Sequence, residues 1–299
     1  MKTFTSTLKR QWPYHLLLVP GIAFALVFSY YPLYGLVIAF QEYVPTLGFR
    51  SPWVGMGNYE YLFRQPNFTN IIRNTVFIAI MKIIGGIIVP VVFSLLLNEI
   101  QSKRTKRWFQ TIVYMPNFLS WVILAGIMVD ILSAEGIVNH ALGAMGIKPV
   151  KFLSDANIFP WTMIISDIWK SFGFGTVIYL AALTSIDPGL YEAAAIDGAK
   201  RWKQTRHITL PLLMPTVMLM TILSLGNVLN AGFDQIYNLY SPIVQKTGEI
   251  IDTYVYKLGI EKAQYSVGAA VGMFKSVISG ILIFLSYYLA GRFAGYRIF

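Results

Sequence analysis

The amino-acid sequence predicts an all-α, polytopic membrane protein with six spanning helices, and three observations carry that prediction. Of 299 residues, 56% are hydrophobic and 13% are charged, about half the charged share of an average soluble domain. The apolar residues gather into runs long enough to cross a bilayer, for which ~20 are needed. The basic residues gather in the loops between those runs. This composition argues against a soluble enzyme, a disordered chain and a secreted disulfide scaffold. Cysteine is absent, so disulfides, thiolate nucleophiles and thiolate-bound metals are excluded. His15, His140 and His207 are far apart in the sequence, which argues against a histidine-rich metal site. The net charge of +10 would favour nucleic acid on a soluble protein. Here it lies between apolar stretches and is read as topology-setting charge, with no nucleic-acid partner.

The first predicted span, 14–40, follows Lys2, Lys9 and Arg10, as a signal peptide would. It is too long for a signal core, contains Pro20 and Pro32, and has no small-residue cleavage site after it, so it is read as a retained helix. The others are 71–97, 109–132, 158–183, 212–232 and 267–290. With a cytoplasmic N-terminus, loops 98–108 and 184–211 and the tail 291–299 are cytoplasmic as well. With the N-terminal start they carry 13 Lys and Arg, against 8 in the longer outer segments 41–73, 133–157 and 233–266. That bias predicts a multi-pass protein of the cell membrane with both ends cytoplasmic. The domain reading is an N-terminal part, 1–70, a core membrane domain, 71–290, and the tail. Ile250–Gln264 is read as an amphipathic outer helix. No internal repeat is seen. The nearest approach to a phosphate-cradling loop, Gly268 to Ser276, has the wrong spacing, so the chain is not expected to bind ATP by that route.

The cytoplasmic loop between the fourth and fifth spans is the most informative segment. Asp187 can cap a helix that Pro188 opens. Tyr191 to Asp197 is alanine-rich and helix-favouring, Gly198 permits a turn, a short basic segment follows, and Pro211 opens the next span. The expected object is a helix–turn–helix knob. Ala193, Ala194 and Ala195 let another backbone approach, and Glu192 and Asp197 offer charge. A helix lying on anionic lipids is the alternative. It accounts for Lys200 to Arg206 but not for the acidic, alanine-rich first half.

Glu192-Ala193-Ala194, three residues, Gly198, nine residues, Ile208, one residue and Leu210-Pro211 resembles the "EAA" loop of ATP-binding-cassette (ABC) importer permeases at every fixed position. Asp167-Ile168-Trp169 and Phe233-Asp234-Gln235-Ile236-Tyr237 resemble the carbohydrate-uptake branch. The C-terminal stretches Tyr265 to Ala270 and Tyr296 to Phe299 resemble permeases for complex oligosaccharides. The resemblance covers residues 65–299; the first 64 match only in general shape. It implies the type I ABC importer permease fold and a transport subunit rather than an enzyme. It implies no cofactor in this chain, since ATP and Mg sit on partner ATPase subunits. The implied partners are a second homologous permease, two cytoplasmic ATPases, an external solute-binding protein, an oligosaccharide or polysaccharide fragment, and membrane lipids. By the same resemblance Glu192 pairs with a basic residue of the ATPase, Ala193 and Ala194 pack in its groove, Asp197 lies in the docking loop and Gly198 provides the turn.

Charges within spans are functional candidates by default. Asp167 and Lys170, three residues apart, are expected to pair on one helical face. Lys82 and Lys275 are read as snorkelling or as contacts of a partner permease. Asn227, Asn230 and Asp234 are spaced to share a face of the fifth span, with Tyr237 and Asn238 following. Amides, a carboxylate and tyrosine suit sugar hydroxyls and sugar C–H faces; interhelical hydrogen bonding is the other reading. Trp169 and Tyr179 are weaker sugar-stacking candidates, and Trp108 reads as an interface anchor. Two rival classes remain. An ion-coupled secondary transporter of a polar solute needs a coupling-ion site and usually an internal repeat, and neither is found. A membrane enzyme needs a nucleophile, metal cluster or paired acids, and none stands out.

Overall fold

The structure is a computed structural model that describes residues 2–293, with side chains for Gln11, Trp12 and residues 14–288. The described residues are nearly all helical; an isolated antiparallel bridge between Gln41 and Trp53 is their one strand-like feature. The chain forms two compact units.

The first unit contains the chain up to Arg64 together with Val255–Met273. Helix α1 (Lys2–Ala25) continues as a π turn, Leu26–Tyr30, and a 3-10 stretch, Tyr31–Phe40. Pro32 has no N–H to give to the ladder and sits where the helix changes pitch. The C-terminal end of this stretch is pinned by α2 (Gly57–Arg64), from which Asn58 Nδ2 donates to Ala39 O at 2.8 Å and Gln41 O at 3.0 Å. Phe40 stacks on Trp53.

The second unit contains Gln65–Tyr254 and the chain from Phe274. In order it has α3 (Phe68–Glu99), α4 (Lys103–Tyr114), α5 (Trp121–Ile131), α6 (Ile137–Ala144), α7 (Phe159–Thr184), α8 (Pro188–Ile196), α9 (Arg201–Gln204), α10 (Leu210–Leu225), α11 (Phe233–Leu239) and α12 (Gln245–Gly248). Helices α13 (Ile251–Tyr256) and α14 (Tyr265–Phe293) have residues in both units. The predicted outer helix at 250–264 is α13 with the π turn Lys257–Glu261.

Helices α3 and α7 form the centre, and small residues let them close up. A Cβ at Gly85 would fall 2.0 Å from Ile168 Cδ1, and one at Gly175 would stand 3.2 Å from Pro90 Cγ. At Gly173 a Cβ would lie 2.3 Å from the carbonyl oxygen of Val113, at the end of α4. Without a hydrophobic drive between helices in lipid, such close backbone approach is what holds a bundle together. The adjoining core includes Ile78, Phe159, Met163, Ala231, Ile236 and Ile250. The segment after α5 folds around buried Asn139, which donates to Ser133 O (2.8 Å) and Val150 O (3.0 Å) and accepts from Val150 N (2.7 Å).

Among the described residues four helical stretches are each long and apolar enough to cross a membrane: Tyr14–Phe40, Phe68–Glu99, Arg201–Leu225 and Tyr265–Tyr288. They overlap the predicted first, second, fifth and sixth spans. The third, 109–132, is not a straight helix: Lys103–Phe118 and Trp121–Ile131 meet at 104°. Pro116 supplies no N–H there, and Ser120 starts a new helix by accepting from Ile123 N at 3.3 Å. The fourth is α7, whose 26 residues extend about 39 Å at 1.5 Å per residue, although its polar residues keep it out of the apolar set. The predicted tail lies outside the described residues from position 294 onward.

Candidate functional site

The loop between α7 and α10 is built from local capping chemistry. Asp187 Oδ1 accepts from Gly189 N at 2.9 Å, and Pro188 takes the first helical position of α8. At the other end Gly198 has φ +77°. Its N–H bonds Ala195 O at 3.0 Å, while Ala199 N–H bonds Ala194 O at 2.9 Å. This crossed pair is a Schellman closure, which places a left-handed residue, usually glycine, where Gly198 stands. The chain then passes through α9 and a π turn, Thr205–Thr209, into α10.

Side chains fasten the knob. Tyr191 Oη and Thr209 Oγ1 are 2.9 Å apart, and Gln204 Nε2 donates to Ala199 O at 3.0 Å. Arg201 reaches Glu99 Oε2, at the end of α3, at 2.6 Å. Glu192, Ala193 and Asp197 are exposed and Ala194 is half-buried. Ile196 is 87% and Trp202 74% exposed, a pair of large apolar side chains presented outward from a fastened loop. The sequence reading passed over both, as well as the Arg201–Glu99 tie.

The second candidate region differs from expectation. Helix α10 ends at Leu225, residues 226–229 run as turns, and 230–232 are irregular. Asn230 N–H bonds Asn227 O at 2.8 Å, Asn230 Oδ1 accepts from Gly232 N at 3.4 Å, and Gly232 has φ +95°. Asn227, Asn230 and Asp234 therefore do not share a helical face, because that spacing requires an unbroken helix. Asp234 and Asn238 lie on α11, where Asn238 Nδ2 donates to Asp234 O at 2.7 Å and Tyr237 stacks on Phe233. The structure still places this polar set on the surface of the unit: Asn227, Asn230, Asp234 and Asn238 are exposed, and Tyr237 is 38% exposed. Trp169 lines an apolar cavity of about 400 Å³ with Trp161, Met128 and Phe152, and no α11 residue contributes to its walls. Tyr179 is buried in packing against Leu97 and Leu213.

The charge pairing is also rearranged. Asp167 faces Lys82 at 3.6 Å rather than Lys170. Lys170 Nζ donates to Asn117 O at 3.4 Å and lies 5.5 Å from the centre of the Trp121 ring. Lys82 does not snorkel; it is buried and donates to Ala231 O at 2.7 Å and Gln235 Oε1 at 2.5 Å. Lys275 bonds Asp252 at 2.5 Å. Tertiary structure sets these partners, which sequence spacing could not show.

The described residues thus form a multi-helix unit of membrane type with a capped knob between two long helices, an arrangement suited to a transport permease. Comparison with known proteins agrees. Residues 86–295 match the family described as binding-protein-dependent transport system inner membrane component, and the chain belongs to that family. It is 39% identical to protein LplB of Bacillus subtilis (strain 168), over 97% of this chain and 92% of that one. It is 38% identical to the polygalacturonan/rhamnogalacturonan transport system permease protein YteP of the same strain, over 93% of this chain and 88% of that one. Among solved structures, a chain of a bacterial ABC transporter involved in the import of the acidic polysaccharide alginate superposes with a TM-score of 0.90. The identity is 36%, over 97% of this chain and 99% of that one. The chain thus has the type I ABC importer permease fold and is a multi-pass transport component rather than an enzyme. Permease components of this family carry no cofactor of their own.

Proposed function

We propose that this chain is one membrane half of an ATP-driven importer of oligosaccharides or polysaccharide fragments, with both termini cytoplasmic. A second homologous permease would complete the pathway, two ATPase subunits would supply ATP and Mg chemistry, and an external binding protein would deliver the saccharide. The alginate transporter has also been captured with an alginate pentasaccharide-bound periplasmic protein, and that chain is 36% identical to this one. The substrate class rests on these relatives.

The observation that carries the coupling reading is the knob itself. Its backbone is closed at both ends by hydrogen-bonded caps, while Glu192, Asp197, Ile196 and Trp202 point outward. Fixed backbone with exposed apolar and acidic side chains suits insertion of a short helix into a groove on a partner. When ATP closes the two ATPase subunits, the knob follows. The Arg201–Glu99 tie and the continuous run from α9 into α10 then pass the displacement to α3 and α10. Around the break after α10, amide and carboxylate side chains with Tyr237 offer hydroxyl partners and an aromatic face to a saccharide.

The test is reconstitution of the whole transporter in liposomes. Binding protein loaded with an oligosaccharide, of uronic acids or neutral sugars, should stimulate ATP hydrolysis and drive accumulation. Accumulation driven by an ion gradient without ATP would overturn the proposal.

A further inference from the structure

Lys82 sits near the middle of α3 and is buried. A buried ammonium is costly unless acceptors take its three N–H donors and balance its charge. The acceptors here are Ala231 O at 2.7 Å, Gln235 Oε1 at 2.5 Å and, further off, Asp167 Oδ1 at 3.6 Å. A lysine whose only task was to neutralise Asp167 would be expected to sit closest to the carboxylate. This one sits closest to two neutral oxygens, and both belong to the segment that joins α10 to α11 and to α11 itself.

Ala231 lies in the break, where no helical ladder takes up its carbonyl. The next residue, Gly232, has φ +95°, and a Cβ there would stand 2.8 Å from Lys82 Nζ. Glycine supplies both the left-handed turn and the room for the ammonium. Gln235 is fully buried. With its Oε1 taken by Lys82, its Nε2 donates to Met163 O at 2.8 Å and Ser166 Oγ at 2.8 Å, and the Ser166 hydroxyl donates to Thr162 O at 2.6 Å. One ammonium therefore joins α3, α7, the break and α11.

We infer that Lys82 is a positioning residue. Through Ala231 O and Gln235 it sets the backbone of the break and the rotation of α11, and so the placement of exposed Asn230 and Asp234 on either side. That these two meet saccharide rests on the proposed function; that Lys82 places them does not.

The test uses the complete transporter with Asn230→Cys. The chain has no cysteine of its own, so alkylation of this chain by a maleimide reports position 230 alone. Adding Lys82→Met together with Asp167→Asn removes both charges. It should change the alkylation rate about tenfold, the scale expected when buried oxygens lose their donor. With Asn230 restored, the double variant should raise KM for uptake and leave basal ATP hydrolysis in place. Asp167→Asn alone keeps Lys82 on its two neutral acceptors but leaves its charge unbalanced, so it should shift the alkylation rate less than the double variant does. Gly232→Ala intrudes on the same contact from the other side and should alter the rate even if the double variant does not assemble. Parent rates in the double variant or in Gly232→Ala, or an equal change from Asp167→Asn alone, would overturn the inference. Protection of the introduced thiol by saccharide is scored separately. If the rate responds to Lys82 but saccharide gives no protection, positioning stands and the saccharide contact at Asn230 falls.

Discussion

Replacing Gly198 perturbs the knob through one variable. A Cβ at this position meets nothing within 4 Å, so the added carbon itself makes no clash within the chain. What changes is the cost of φ +77°. For most L-residues the left-handed conformation costs roughly 1–2 kcal/mol. At ~1.4 kcal/mol per tenfold, Gly198→Ala should lower the ratio of capped to uncapped loop ~5- to 30-fold. Gly198→Asn should lose less, because asparagine tolerates this region, and Gly198→Val should lose most, because it is β-branched. The readouts are ATPase association and ATP hydrolysis stimulated by loaded binding protein, in reconstituted complexes. The expected order is Gly, Asn, Ala, Val. If steric bulk in a partner's groove governed the effect, alanine would outperform asparagine. That order would refute the conformational argument, and wild-type values in all three would remove the turn from coupling altogether.

Glu192→Lys should weaken ATPase association and sugar uptake while the membrane helices still insert, since Glu192 is exposed on α8; an acidic substitution in the ATPase groove should partly restore both. Unaltered uptake and stimulated hydrolysis would leave the loop as a lipid-surface helix. Asn230→Leu and Asp234→Leu should each weaken saccharide transport ~5- to 150-fold if they lose a buried polar contact in the loaded state, and uptake assays with matched expression decide it. Normal uptake would return these residues to a structural role. Arg206→Cys should react with a membrane-impermeant reagent only from the cytoplasmic side, and labelling in intact cells would reverse the topology.

How much of this was legible depended on whether the determining contacts are local. The knob could be read in advance because Asp187, Pro188 and Gly198 act on backbone groups within a few residues of themselves, and the observed caps use those groups. The break after α10 was misread for the opposite reason. The 3- and 4-residue spacing of Asn227, Asn230 and Asp234 has meaning only on a continuous helix. Gly226 and Gly232, which bracket the break, were the signal against that continuity. Pro116 and Ser120 were likewise the available signal for the 104° bend in the third predicted span. Gln235 could not be found this way. Its importance comes from Lys82, 153 residues earlier in the chain, and no periodicity encodes that pairing.

Helix α7, predicted as the fourth span at 158–183 and found as one long helix, shows how a central span can carry polar residues. Its buried side mixes large apolar residues such as Phe159, Met163, Ile164 and Leu180 with the small or hydroxylated Thr162, Ser166, Gly173 and Thr176. The hydroxyls bond backbone carbonyls a turn back, as Thr176 Oγ1 does to Phe172 O at 2.7 Å and Ser166 Oγ does to Thr162 O at 2.6 Å. Its exposed positions include Trp161, Ile165, Trp169 and Phe174, the first three at four-residue spacing. A helix in water keeps such an apolar stripe off its surface and facing the core. Lipid removes the reason to do so, and close packing with interhelical hydrogen bonds then favours small and polar residues inside. Asp167 sits at the edge of this inner chemistry: its carboxylate, 29% exposed, faces buried Lys82 on α3 across the helix pair at 3.6 Å, so a charge that dilutes the hydropathy of α7 serves a contact between the two central helices.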